Sequence, residues 1–274
     1  MITSLNNEKV KYVRELATKA KFRRKEGCYV AEGIKMFLEA PEEDIRKVYV
    51  SEHLYNVLHY ETGLPRNYRI CQEKLDRLTF EIVLDPVFEK MAGTVTPQGI
   101  LSLVRINRYS LEELLDKGGK RLFVILENIQ DPGNLGTILR TAEAAGVTGL
   151  IISTDSVSMY NPKVIRSTMG AIYRVPFIYT DDLPNVIGLF KNIGINVYAA
   201  ILSEKAKEYD SYNYCSETAF VIGNEGNGLS EETIAAATGQ IYIPMVGEGE
   251  SLNASMAAGI LMYEANRQRR KEGI

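Results

Sequence analysis

From Arg121 to the end of the chain, strand-like and helix-like segments alternate, and no other feature constrains the fold as tightly. Apolar runs at 121–127, 149–153, 175–179, 195–201, 218–222 and 240–244 read as strands. Helical periodicity falls between and after them, at 135–145, 162–171, 184–193, 230–237 and 251–270. Such alternation specifies an α/β fold: a mostly parallel sheet with helices on both faces. Ligands of these sheets bind beyond the carboxyl ends of the strands. Three polar or glycine-rich loops fall at that edge: the one holding Asn134, the run Gly223–Gly228, and Met245–Ser251.

The first loop leads from an apolar strand through Asp131-Pro132-Gly133, which is turn chemistry because proline fixes φ and glycine tolerates positive φ. Asn134 is a natural N-cap for the helix that follows. Leu135, Ile138, Ala142 and Ala145 give that helix one apolar face, and Gly146 suits its C-terminal end. Arg140 points away from the apolar face. The second loop, Gly-Asn-Glu-Gly-Asn-Gly, does not have the spacing of a dinucleotide fingerprint. Its glycines let backbone amides approach a ligand, with Glu225 at the rim and Ser230 starting the next helix. In the third, Pro244 ends a strand, Ser251 can N-cap the last helix, and Asn253 falls in its first turn, where backbone N–H groups are free. That helix carries Leu252, Met256, Ile260 and Tyr263 along one side and the small residues Ala254, Ala257, Ala258 and Gly259 elsewhere.

Residues 1–105 read as a separate α/β unit, joined to the 121–274 domain by a linker at 106–120 that contains Gly118-Gly119. A basic helix spans Glu8 to about Lys25. Its Lys21, Arg23 and Arg24, with neighbouring lysines, allow phosphate contact or a solvated face. The whole chain of 274 residues has a net charge of −3, so only local charge can speak for nucleic acid. The three cysteines and two histidines form no zinc spacing, so no metal is expected, and a histidine-based triad lacks material. No apolar signal core or 18-residue apolar run occurs, so a cytoplasmic protein is expected.

Taken together, Asn134-x-Gly136-x-x-x-Arg140, Gly-Asn-Glu-Gly-Asn-Gly-Leu and Ile-Pro-Met…Glu-Ser-Leu-Asn-Ala-Ser resemble, in order and spacing, the three motifs of the SpoU/TrmH class of SPOUT methyltransferases. The run Arg166–Pro176 also looks like that family. The resemblance covers about residues 121–270. Residues 1–105 are similar, more weakly, to the substrate-binding domain of the ribosomal protein L30e type found ahead of it in many members.

The resemblance implies an RNA ribose 2′-O-methyltransferase that uses S-adenosylmethionine, with a C-terminal trefoil knot and a homodimer. It implies that Asn134, Arg140, Glu225, Ser251 and Asn253 serve catalysis and that Gly223, Ile243 and Leu252 contact the cofactor, helped by the loop after the strand at 195–201. Lys21, Arg23, Arg24 and Arg166 are the expected RNA contacts. The family's proton acceptor corresponds to Arg140, but a guanidinium stays protonated. Phosphate binding and stabilisation of the nascent alkoxide suit it better. Ribosomal RNA of the large subunit is the expected substrate, with tRNA as the alternative. A non-catalytic RNA-binding or ribosome-assembly role remains open, whereas a nicotinamide enzyme would need a fingerprint that is missing.

Overall fold

A computed structural model describes every residue except Glu225, Glu248, Glu250 and Ile274. The chain divides into two compact units, Met1–Asn107 with Ser158–Tyr173, and Arg108–Val157 with Arg174–Ile274.

The first unit begins with helices α1 (Glu8–Thr18) and α2 (Ala20–Glu26), then strand β1 (Cys28–Glu32) and α3 (Ile34–Glu39). Next come β2 (Ile45–Ser51), α4 (Glu52–Tyr60), α5 (Arg66–Asp76), β3 (Phe80–Val83), α6 (Asp85–Met91) and β4 (Ile100–Arg105). The sheet order is β1-β4-β2-β3, with only the β2–β3 pair parallel. One core joins Val10, Val13 and Leu16 of α1 to Val87, Phe88 and Met91 of α6. A second joins Phe37, Leu54, Leu58 and Leu75. The basic stretch is not one helix. It breaks at Lys19, whose backbone is extended, and Arg23 folds back to donate from Nη1 to the carbonyls of Leu16 (2.7 Å) and Ala17 (3.3 Å). A helix end leaves carbonyls unsatisfied, and here an arginine takes up two of them.

The second unit runs through α7 (Leu111–Leu115), β5 (Leu122–Leu126), α8 (Pro132–Ala144) and β6 (Gly149–Ser153). The chain then contributes α9 (Pro162–Thr168) to the first unit, where it packs on β1. The second unit resumes with β7 (Phe177–Thr180), α10 (Leu183–Asn192), β8 (Asn196–Ala200), β9 (Lys207–Glu208), β10 (Thr218–Ile222), α11 (Glu231–Ala236), β11 (Gly239–Tyr242) and α12 (Ala254–Lys271). Its sheet has the order β7-β6-β5-β10-β8-β11-β9 and every pair is parallel. The α/β class and the parallel sheet read from the alternation are therefore present. The two-residue β9 is the one strand of this sheet that the periodicity gave no sign of, because two residues cannot display a period.

Strands β5, β6 and β10 are buried along their whole length, as a sheet covered on both faces requires. Ile187 and Phe190 of α10 pack against Phe123, Ile125, Val197 and Val221. Helix α12 packs on β10 and along α8. The order of the strands reverses direction between β5 and β10: the chain moves outward from β5 to β7, then returns across the sheet to build the other side. Such a switch point opens a crevice at the carboxyl edge.

Candidate active site at the carboxyl edge of the second sheet

The site begins with local chemistry at two helix starts. The N-cap of α8 is Asp131, whose Oδ1 accepts from the Asn134 amide at 2.8 Å, and Pro132 occupies the first helical position. Asn134 is therefore inside the first turn and not the cap expected for it. Asp-Pro is the stronger start signal, since aspartate caps well and proline is pre-set for the first turn. Helix α12 also starts later than its periodicity suggests. Its N-cap is Asn253, with Oδ1 accepting from the Ser255 amide (2.9 Å), the Ser255 hydroxyl (2.6 Å) and the Met256 amide (3.4 Å). Ser251, the expected cap, lies in the preceding loop, and Leu252 is not helical.

These two starts meet. Asn253 donates from Nδ2 to Oδ1 of Asn134 at 2.9 Å, joining residues 119 positions apart. Six positions after Asn134, about 9 Å further along α8, Arg140 is exposed, and among the described residues no carboxylate pairs with it.

The loop after β10 closes on itself. Asn224 and Gly228 exchange backbone hydrogen bonds at 3.1 and 2.9 Å, while Oδ1 of Asn224 accepts from the amides of Gly226 (2.7 Å) and Asn227 (3.1 Å). A Cβ on Gly223 would lie 2.4 Å from the carbonyl group of Gly228, so only glycine permits this closure. Glu225, expected at this rim, lies outside the described residues.

The closed loop borders a cavity of about 490 Å³. Ile222, Gly223, Asn227 and Leu229 line one side, and Ile201, Leu202 and Ser203, after β8, another. Tyr242, Ile243 and Met245 follow β11, and Ser251, Leu252 and Ala257 complete the wall. Its size suits a small organic ligand, and its lining is mostly apolar with polar backbone at the glycine loop. That combination fits a nucleoside-bearing cofactor. Gly223, Ile243, Leu252 and Ser251, singled out in the sequence, are all on this wall, as is the loop after β8. Tyr242 is not among the residues the sequence points to, and Met245 and Ala257 are marked there only as a loop end and a small helix residue, not as cavity wall. Small or apolar residues in a strand–loop run carry no sign that distinguishes a cavity wall from a core.

The expected RNA contacts are not equivalent. Lys21 and Arg24 are exposed, and Arg166 on α9 is half-buried beside a small cleft with Glu32 in the first unit. Arg23 is a correction. It is only 5% exposed, its guanidinium is committed to the end of α1, and among the described residues its Nε has no hydrogen-bond partner. Burial and the neighbouring Arg24 push its pKa below the usual guanidinium value. Charge runs in a sequence do not say which member turns inward. Among the described residues, no group of three or more histidine, cysteine or carboxylate side chains could hold a metal, and no helix is long and apolar enough to cross a membrane.

Comparison with known proteins agrees with this geometry. Residues 121–263 match the SpoU rRNA methylase family, and residues 7–102 match the MRM3-like substrate-binding domain. The chain is 30% identical over 264 residues to the 23S rRNA (guanosine(2553)-2′-O)-methyltransferase RlmP of Bacillus subtilis, covering 96% of this chain and 97% of that protein. It is 38% identical over 170 residues to the tRNA (guanosine(18)-2′-O)-methyltransferase of Thermus thermophilus, covering 61% of this chain and 85% of that one. The AdoMet-bound rRNA methyltransferase of Sinorhizobium meliloti superposes with a TM-score of 0.81 at 27% identity, covering 97% of both chains. A parallel sheet with a glycine-closed loop and a cavity at its switch point, carried on motifs that match over more than half the length, establishes that this chain is a member of the SpoU rRNA methylase family.

Proposed function

We propose that the protein transfers a methyl group to a ribose 2′-hydroxyl of 23S ribosomal RNA. The observation that carries the proposal is the Asn253–Asn134 hydrogen bond, which fastens the cavity-lining loop to the helix bearing Arg140. S-adenosylmethionine, held in the cavity by Gly223, Ile243 and Leu252, supplies the electrophilic methyl group. Everything else in the reaction is alignment and removal of one proton. Arg140 binds the phosphate next to the target ribose and stabilises the developing alkoxide, while the phosphate or a water takes the proton. Asn134, with a side chain already fixed by Asn253, orients the ribose, and Glu225 shares that task. Ser251 holds the loop against the nucleotide.

The similarity to RlmP over 96% of this chain favours ribosomal RNA over tRNA, because the tRNA enzyme matches over 61% of it. Exposed Lys21 and Arg24, with Arg166, supply backbone contacts from the first unit. The knot and the homodimer belong to the same reading. Met256 (58% exposed) and Tyr263 (47%) give α12 an outward apolar face of the kind a second copy covers. Cytoplasm is where such a substrate is met.

The test is methyl transfer from labelled S-adenosylmethionine to 23S RNA and to tRNA, with mapping of the 2′-O-methyl position. Wild type should label 23S RNA at one nucleotide. Arg140→Ala should lose at least about 100-fold in rate, the scale of removing one preorganised charge stabiliser, with cofactor affinity within a factor of two. Wild-type turnover in that variant would refute the role given to Arg140.

A further inference from the structure

We infer that Glu127 is a positioning residue, the bracket that holds the glycine loop after β10 against the segment that follows β5; the inference rests on the cofactor cavity proposed above. Glu127 directly follows β5, and its amide donates to the carbonyl of Ile222 at 2.9 Å, the last residue of β10. Its carboxylate then reaches across the switch point. Oε2 accepts from the Ser230 amide at 3.1 Å. Oε1 accepts from the hydroxyls of Ser230 (2.6 Å) and Thr233 (3.0 Å). Thr233 is fully buried, and Ser230 is the N-cap of α11, so the carboxylate fixes the downstream end of the loop.

The next residue fixes the upstream end. The carbonyl of Asn128 accepts from Nδ2 of Asn224 at 2.8 Å. Asn128 itself has φ +54°, a left-handed conformation that asparagine tolerates. Two consecutive residues therefore clamp both ends of the segment 224–230, whose Asn224, Asn227 and Leu229 line the cavity. The same two residues begin the loop that leads to Asp131, Asn134 and Arg140. The bracket ties the cavity wall to the segment that leads into the arginine-bearing helix. A carboxylate is suited to the task because all three donors converge on it, and acceptance by an ionised group roughly doubles the strength of such bonds.

Three variants separate bracing from general stability and from charge. Glu127→Ala should raise the Kd for S-adenosylmethionine about tenfold, measured calorimetrically well below the melting temperature. Glu127→Gln should stay within about threefold of wild type. Its carbonyl still accepts the Ser230 amide, and its NH₂ can donate to the two hydroxyls once they rotate. Leu150→Ala, a buried β6 position outside the loop, lowers the melting temperature without touching the bracket and should leave the Kd unchanged. Wild-type affinity in Glu127→Ala would overturn the inference. So would a Glu127→Gln variant as weak as Glu127→Ala, or a Kd in Leu150→Ala that rises as much as in Glu127→Ala. The cavity reading fails separately, if Leu252→Arg, which fills the wall, binds the cofactor as wild type does.

Discussion

Arginines of the two units fall into two populations, turned inward and turned outward, and the contrast separates what builds the fold from what is left for a ligand. In the first unit, Arg23 turns in to finish α1 while Arg24, its neighbour, stays in water. In the second, Arg269 of α12 is 8% exposed and donates to four carbonyls, those of Tyr214 (3.0 Å), Lys120 (2.9 Å), Arg121 (3.0 Å) and Ser216 (2.8 Å). Arg140 stays outside. The inward arginines are solvated by backbone carbonyls and not by carboxylates, and burial pushes the pKa of each down. An arginine used this way is a structural strut. A basic stretch overstates the charge available to RNA by each such strut, and also by each lysine paired to a glutamate, as Lys9 is to Glu81 and Lys19 to Glu15.

The sharpest way to break this division is Arg269→Ala. Leaving four carbonyls with a lost cationic partner should cost about 3 kcal/mol or more, read as a fall in the denaturant midpoint with the slope unchanged. A loss below about 1 kcal/mol would move Arg269 out of the strut class. Next comes the adjacent pair in α2. Arg23→Ala should cost roughly 2 kcal/mol and leave the salt dependence of RNA binding as it was. Arg24→Glu should leave the melting temperature nearly unchanged and make the slope of log K against log salt shallower by about one. Reversed outcomes, with Arg23 setting the slope and Arg24 the stability, would end the comparison.

The smallest effect belongs to an ion pair of the ordinary kind. Arg121 donates to Glu217 at 2.7 and 2.5 Å and, with this pairing as the main cause, holds its carboxyl below the usual 4.5. A depressed folded pKa contributes stability that is fully present above about 4.5 and is lost as pH falls through the lower folded value. Because the pair is partly exposed, the gap between wild type and Glu217→Gln should be at most about 1 kcal/mol at pH 7. The gap should close below pH 4.5. Melting curves across that range decide it, and a gap that widens on acidification would contradict the assignment.

Much of the second unit is legible in the sequence. Among the described residues, six of the seven strands of its sheet lie within two or three residues of the apolar runs, and β5, β6 and β10, buried on both faces, are apolar along nearly all their length for that reason. Gly146, with φ +70°, ends the region of α8 as its residue type suggested. Boundaries were less legible where two capping residues compete. Asp131 and Asn134, like Ser251 and Asn253, are all good caps, and the choice between them follows from what each side chain meets after folding. Met256 and Tyr263 had the spacing of a core face yet are exposed, since periodicity gives a helix an apolar side without saying what covers it.

The sequence by itself determined the α/β class, the carboxyl-edge loops and the residue types of the site, because backbone periodicity and turn chemistry act over short stretches. Only the tertiary structure decided which arginine is a strut, that Asn253 meets Asn134 across 119 positions, and that Glu127 brackets a loop about a hundred residues away. Those outcomes depend on which buried carbonyls, amides and hydroxyls are left without partners once the sheet has formed. That accounting exists only after the chain has closed on itself.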